Sequence, residues 1–256
     1  MITSVTNAKV KQVRRLQTDK RLRLREQLFV AEGTRWLKEI VRLLVTPDLV
    51  FYTEQWAETA VHTQLLHQLP TVPQLVSEPV MTAMSDTTTP PGILLVLPFQ
   101  VLSIPTPSSF ALILDGVTNP GNLGTMLRTA AAAGIDAVLL GPNCVDPYNP
   151  KVVRGGMGAH LRLPLLSLSW AEIAAQVAHM HVWLADVAEG VGYTAVDWRQ
   201  PSALIIGSEA RGAGVEATAL ANAGLVTIPM RAETESLNAA MATGILLFEA
   251  VRQRTR

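Results

Sequence analysis

Residues 115–134 read DGVTNPGNLGTMLRTAAAAG and follow directly on the apolar run Ala111–Leu114. A short apolar run bounded by turn residues has the length of a buried strand. The residues after it open with Asn, Pro and Gly and close in alanines, so the stretch predicts a strand, a loop and a helix in that order. Asn119 or Asn122 can cap this helix, with Pro120 and Gly121 shaping the turn before it. The same grammar recurs downstream. Strands are predicted at Ala137–Leu140, His181–Asp186, Ala203–Gly207 and Leu225–Pro229, alternating with helix-length segments. That alternation is the pattern of an α/β unit with a mostly parallel sheet covered by helices.

Ligands of such sheets sit in loops beyond the carboxyl ends of the strands. Three loops rich in Gly, Asn and Ser fall there: 115–128, GSEARGAG at 207–214, and 230–238 within IPMRAETESLNAAMATGILLFEAV, which begins at Ile228. Donors at the start of the first helix, with Arg128 further along it, suit a phosphate or a developing anion; an ordinary capped helix has the same residues. Glycines around Glu209 let backbone approach a flat ligand, or simply form a turn. Ser236 and Asn238 begin the last helix and can present a hydroxyl and an amide to a ligand beside the helix dipole, or merely cap it. Gly116, Gly121 and Gly124 have the wrong spacing for a dinucleotide loop, and Ser236 lacks a nucleophile elbow, so neither NAD chemistry nor a hydrolase triad is indicated.

Working outward toward the N-terminus, the composition changes. Residues 1–42 hold eleven basic side chains (Lys9, Lys11, Arg14, Arg15, Lys20, Arg21, Arg23, Arg25, Arg35, Lys38, Arg42) against four acidic ones, although the chain as a whole is neutral. A cationic end on a neutral protein fits contact with nucleic-acid phosphates, or a solvated helix face. Val10–Leu24 reads as one basic helix, followed by an apolar patch at Leu28–Val30. A second helix is predicted over 34–45, a strand at Leu49–Tyr52, a helix over 55–68 and a buried strand at Ile93–Leu97. These make a small α/β domain over residues 1–100. Residues 101–109, in a stretch rich in Pro, Ser and Thr, form a linker, and 110–256 a second domain.

Apolar residues make up 48% of the 256, ample for two cores, and charged residues only 16%. The single cysteine, Cys144, cannot form an intrachain disulfide, and no apolar stretch approaches the roughly 20 residues of a membrane-spanning helix, so a cytoplasmic protein without membrane contact is expected. The five histidines lack metal-ligand spacing, and no metal is expected.

Taken in order, the three loops resemble the motifs of the SpoU/TrmH RNA 2'-O-ribose methyltransferases. Asn122 and Arg128 in NLGTMLR match the first motif, Gly207 and Glu209 the second, and Ile228, Pro229, Met230 with Ser236, Leu237, Asn238 the third. The likeness continues through DPYNPKVVRGGMGAHLRLP at 146–164. The opening ITSVTNAKVKQVRRLQ and FVAEGTRWLKE are similar to the N-terminal domain of ribosomal RNA members, itself similar to a small RNA-binding ribosomal protein. Ala210 stands where the family commonly has Gly, and Ala239, Ala240 and Met241 replace its usual Val-Ser-Val.

The resemblance implies a SPOUT fold with a deep trefoil knot and a homodimer joined through the C-terminal domain, its site completed across the interface. It also implies S-adenosylmethionine as cofactor, held by Gly207, Ile228, Met230 and Leu237. The catalytic set would be Arg128, Asn122, Ser236, Asn238 and Glu209, and Lys9, Lys11, Arg14, Arg15, Arg21, Arg23 and Arg25 would meet RNA. A guanidinium is a very weak base, so Arg128 is read as a clamp on the phosphate beside the reacting ribose rather than as the proton acceptor. Ribosomal RNA is the expected substrate. Transfer RNA, or a catalytically silent RNA-binding relative, would share the same motifs.

Overall fold

A computed structural model describes residues 1–231 and 236–255. The chain divides into two compact units, the first made of residues 1–100 together with 148–161, the second of the remainder.

The first unit begins with helices α1 (Ala8–Thr18) and α2 (Lys20–Glu26), strand β1 (Leu28–Glu32), α3 (Thr34–Leu43) and β2 (Leu49–Tyr52). It continues through α4 (Glu54–Ala57), α5 (Ala60–His67), β3 (Gln74–Leu75), α6 (Glu78–Met84) and β4 (Ile93–Pro98). The sheet order is β1-β4-β2-β3, antiparallel except for β2 with β3. Alternation along the strands divides the core. Phe29, Ala31, Ile93, Leu95 and Leu97 join Trp36, Leu37 and Ile40 of α3 on one face, while Val30, Leu94 and Val96 join Val10, Val13 and Leu16 of α1 on the other.

The single helix expected over Val10–Leu24 is two. Asp19 leaves helical geometry (φ −108°, ψ 103°), and its carboxylate accepts from the amides of Arg21 and Leu22, ending one helix and capping the next. The helix expected over 55–68 is likewise split, at Thr59, which precedes α5 in extended conformation. The segment 148–161 lies in the first unit, whereas the sequence reading assigned all of 110–256 to the second domain. Its Tyr148, Val153 and Leu161 are buried with Phe29 and Trp36, the Tyr148 ring stacks on Phe99 at 3.5 Å, and Arg154 pairs with Asp86 at 2.7 Å. Burying each of those apolar side chains contributes about 1.5–3 kcal/mol, more than the exposed ion pair.

The second unit holds β5 (Phe110–Leu114), α7 (Pro120–Ala133) and β6 (Ala137–Leu140); after α8 (Pro150–Gly156, in the first unit) come β7 (Leu165–Ser167), α9 (Trp170–Val177) and β8 (His181–Asp186). The chain ends with β9 (Val191–Gly192), β10 (Ser202–Ile206), α10 (Val215–Leu220), β11 (Gly224–Thr227) and α11 (Ala239–Arg254). All pairings in the seven-stranded sheet, β7-β6-β5-β10-β8-β11-β9, are parallel. Every residue of β5, β6 and β10 is buried, the signature of a sheet covered on both faces. The last helix is tied down at its far end: Arg254 donates to the carbonyls of Ser109, Trp198 and Gln200, and Gln253 to that of Val196. No helix among the described residues is long and apolar enough to cross a membrane.

Candidate active site

Because β5, β10, β8 and β11 run side by side and parallel, the loops after them gather at one edge of the sheet. The loop after β10 is folded back tightly. Ser208 and Gly212 exchange backbone hydrogen bonds of 2.9 Å, and a Cβ on Gly207 would lie 2.5 Å from the Gly212 carbonyl carbon, so only glycine fits there. The Gly214 amide donates to Asp115 at the end of β5 at 2.6 Å, which registers this loop against the strand beside it. Glu209 is thereby held at the exposed tip.

Two further side chains complete a set with it. Asn238 caps α11, its oxygen accepting from the amides of Ala240 (3.0 Å) and Met241 (3.3 Å). With the oxygen committed to the helix, its amide nitrogen points away and donates to Oδ1 of Asn122 at 3.2 Å. Asn122 in turn presents its own nitrogen to Glu209, which accepts. The helix N-terminus therefore sets the direction of both amides, since each has one acceptor and one donor end. Asn119, not Asn122, caps α7, accepting from Gly121 and Asn122. That leaves the Asn122 side chain for the site.

Beyond these groups opens a cavity of about 480 Å³, within the range of small-molecule and cofactor sites. Leu184, Ile206, Val226, Ile228, Leu237 and Leu246 give it apolar walls, and Asp186, Glu209, Ser236 and Asn238 supply polar groups. An apolar slot with hydrogen-bond acceptors at its edge suits a molecule that joins a flat base to hydroxyl and ammonium groups.

Of the residues singled out in the sequence, Gly207, Glu209, Ile228, Met230, Ser236, Leu237 and Asn238 line the cavity, and Asn122 touches two of them. Arg128 does not line it; it is exposed on α7, six residues past Asn122 and so about 9 Å along the helix axis. The sequence reading missed Leu184, Asp186 and Val187 at the end of β8, although β8 itself was expected and its carboxyl end obeys the same strand-end rule. The described residues contain no cluster of His, Cys, Asp and Glu able to hold a metal ion.

In the first unit Lys9, Lys11, Arg14, Arg15, Arg21 and Arg25 are all exposed. Arg23 is not. It is 3% exposed, and its guanidinium donates to the carbonyls of Leu16 (2.6 Å) and Gln17 (3.3 Å), tying α2 to the end of α1. Its assignment as an RNA contact is corrected: counting charge along a helix cannot tell a cation turned inward from one turned to solvent.

The geometry is that of a SPOUT-type methyltransferase: a parallel sheet, a strand-end cavity, and an Asn-Glu-Asn set where α7, the 207–214 loop and α11 meet. Residues 109–248 match the SpoU rRNA Methylase family, and residues 7–95 match the MRM3-like substrate binding domain. The 23S rRNA (guanosine(2553)-2'-O)-methyltransferase RlmP of Bacillus subtilis is 32% identical over 250 residues, 96% of this chain and 97% of that protein. A Synechocystis sp. protein described as an uncharacterized tRNA/rRNA methyltransferase is 34% identical over 259 residues, 99% and 94% of the two chains. The SpoU methyltransferase AviRb from Streptomyces viridochromogenes, solved in complex with AdoMet, superposes with a TM-score of 0.86 at 26% identity, covering 97% of this chain and 98% of that one. The AdoMet-bound rRNA methyltransferase from Sinorhizobium meliloti gives 0.85 at 28% identity, covering 98% and 97%. The chain belongs to the SpoU rRNA Methylase family. It is an S-adenosylmethionine-dependent RNA methyltransferase.

Proposed function

We propose that this enzyme methylates the 2'-hydroxyl of a ribose in large-subunit ribosomal RNA, acting in the cytoplasm as a homodimer. The observation that carries the chemistry is the oriented Asn238, Asn122 and Glu209 set at the edge of the cavity. Ribosomal RNA is favoured by the full-length likeness to RlmP, a 23S rRNA 2'-O-methyltransferase, and by the match of residues 7–95 to a substrate-binding domain.

S-adenosylmethionine, when bound, supplies an electrophilic methyl group on a sulfonium. The protein's task is to hold the donor, bring a ribose oxygen into line and exclude other nucleophiles. Gly207, Ile228, Met230 and Leu237 hold the donor in the cavity. Asn122, Ser236 and Asn238 orient the ribose through hydrogen bonds whose direction is preset, so little reorganisation accompanies the reaction. Glu209 fixes the end of that set. Arg128 clamps the phosphate next to the reacting ribose, and its positive charge favours the hydroxyl's ionised form. Exposed Lys9, Lys11, Arg14, Arg15, Arg21 and Arg25 bind the RNA backbone.

Two observations support the dimer. Met241 (62% exposed) and Phe248 (49% exposed) stand seven residues apart on α11, an apolar stripe left open to solvent. Arg128 lies outside the cavity lining of its own chain, as expected if it serves the partner's site. The trefoil knot of the SPOUT fold belongs to this reading through the family match and the likeness to SpoU methyltransferase structures.

The test is incubation with methyl-labelled S-adenosylmethionine and separate pools of unmodified ribosomal and transfer RNA, followed by digestion to nucleosides. Label in a 2'-O-methylnucleoside from the ribosomal pool is the expected result. Label on a base would overturn the chemistry, and label confined to transfer RNA would overturn the substrate.

A further inference from the structure

Asp186 ends β8 inside the cavity wall, between Gly207 at the end of β10 and Thr227 of β11, its paired residue. Its carboxylate is built in. Oδ1 accepts from the amides of Ala188 (2.8 Å) and Glu189 (2.9 Å), which turns the chain back on itself. The turn is fixed at its far side by Gly190 (φ +120°), where a Cβ would lie 2.5 Å from the Leu225 carbonyl oxygen. One oxygen is thus committed to the backbone. The other, Oδ2, meets no donor among the described residues.

We propose that Asp186 is a donor-binding residue, its Oδ2 accepting hydrogen bonds from S-adenosylmethionine. This rests on the reading that the donor occupies this cavity. A half-buried carboxylate with one oxygen spent on backbone amides keeps the other available to a ligand, in a cavity whose walls are otherwise mostly apolar. The bound molecule carries two kinds of group that can donate to it, the ribose hydroxyls and the α-ammonium. A carboxylate at a strand end that holds a nucleotide ribose is an established solution in other α/β folds. Asp186 also stands two strands away from β5, whose following helix carries Asn122, which is about 10 Å across the sheet. It therefore bears on holding the donor rather than on the reacting oxygen.

Titration of S-adenosylhomocysteine and of 5'-methylthioadenosine, which keeps the ribose but lacks the ammonium, into wild type and Asp186→Asn tests this. The asparagine retains an oxygen for the Ala188 and Glu189 amides, and the unliganded protein should keep its melting temperature. Loss of a charge-assisted hydrogen bond predicts about 10- to 100-fold weaker binding. Weakening of both ligands identifies the ribose hydroxyls as the partner, and weakening of S-adenosylhomocysteine alone identifies the ammonium. If Asp186→Asn folds and binds both as tightly as wild type, the assignment to Asp186 is overturned while the cavity's role stands. If wild type itself binds neither, the reading of the cavity goes first. Should Asp186→Asn not fold, Asp186→Ser, whose hydroxyl can still cap the turn, carries the same comparison.

Discussion

Asn122 accepts from Asn238 at 3.2 Å through its oxygen and donates to Glu209 through its nitrogen, so one amide joins the start of α11 to the loop after β10. Asn122→Asp keeps the shape and removes the donor, setting two carboxylates against each other. The expected result is a kcat lower by about 10²-fold, with donor binding within a few-fold of wild type by titration. Full activity in this variant would remove the hydrogen-bonded set from the mechanism.

Arg128 and Glu209 should be separable between subunits. Arg128→Ala and Glu209→Ala should each be inactive alone, the first losing about 10²- to 10³-fold in turnover while still binding donor. Mixing the two after subunit exchange should restore part of the activity, because one heterodimer site then carries both residues intact. Absence of rescue, with exchange verified by mass, would mean that Arg128 acts within its own chain.

Gly207→Ala sets a methyl group against the Gly212 backbone at 2.5 Å, with no flexible side chain able to yield. Overpacking of this kind costs about 1–3 kcal/mol. Thermal unfolding should register that loss, and donor binding should fall with it. Unchanged values of both would show that the loop relaxes freely.

Arg23 and Arg14 are both cations of the N-terminal helices, yet their substitutions should part company. Arg23→Ala leaves the Leu16 carbonyl without its donor and should cost about 1.5–3 kcal/mol in denaturant unfolding. Arg14→Gln together with Arg15→Gln should leave stability alone, weaken RNA binding, and lower the slope of log affinity against log salt by about 2. A salt slope equal to wild type would take α1 out of the RNA contact surface.

Cys144 donates to the Leu114 carbonyl at 3.3 Å, and burial pushes its thiol above the ordinary cysteine range despite backbone hydrogen bonds at Val117 and Gly116. A raised pKa leaves less thiolate at neutral pH, and thiolate is the nucleophile. Alkylation by iodoacetamide at pH 7.5, followed by mass, should be slower than for a free cysteine and should accelerate only as pH rises through the raised value. Reaction at the free-thiol rate would contradict the burial.

Much of the second unit was legible because its buried strands are unbroken apolar runs: β5, β6, β8, β10 and β11 all fall where Val, Ile, Leu and Ala cluster. Leu165–Ser167 and Val191–Gly192 were not read as strands, being too short for any period to declare itself. Asp19 breaks the first helix through a hydrogen bond that periodicity cannot see. The residues of the three motifs stood out through their likeness to the family, each loop by itself being open to reading as an ordinary cap or turn. Asp186 did not, since one aspartate at a strand end looks like any other until its two oxygens are traced to different surroundings.

The placement of 148–161 has a consequence during synthesis. Residues 1–100 leave the ribosome with four strands and six helices, but before Tyr148, Val153 and Leu161, which complete one face of their core. The nascent first unit must wait, partly unpacked, until residue 161 has emerged from the ribosome. By then β5 and β6 have also emerged, while their neighbour β10 has not. The two halves of this enzyme thus finish folding in overlapping order, and until residue 161 emerges one face of the first core lacks the side chains that cover it.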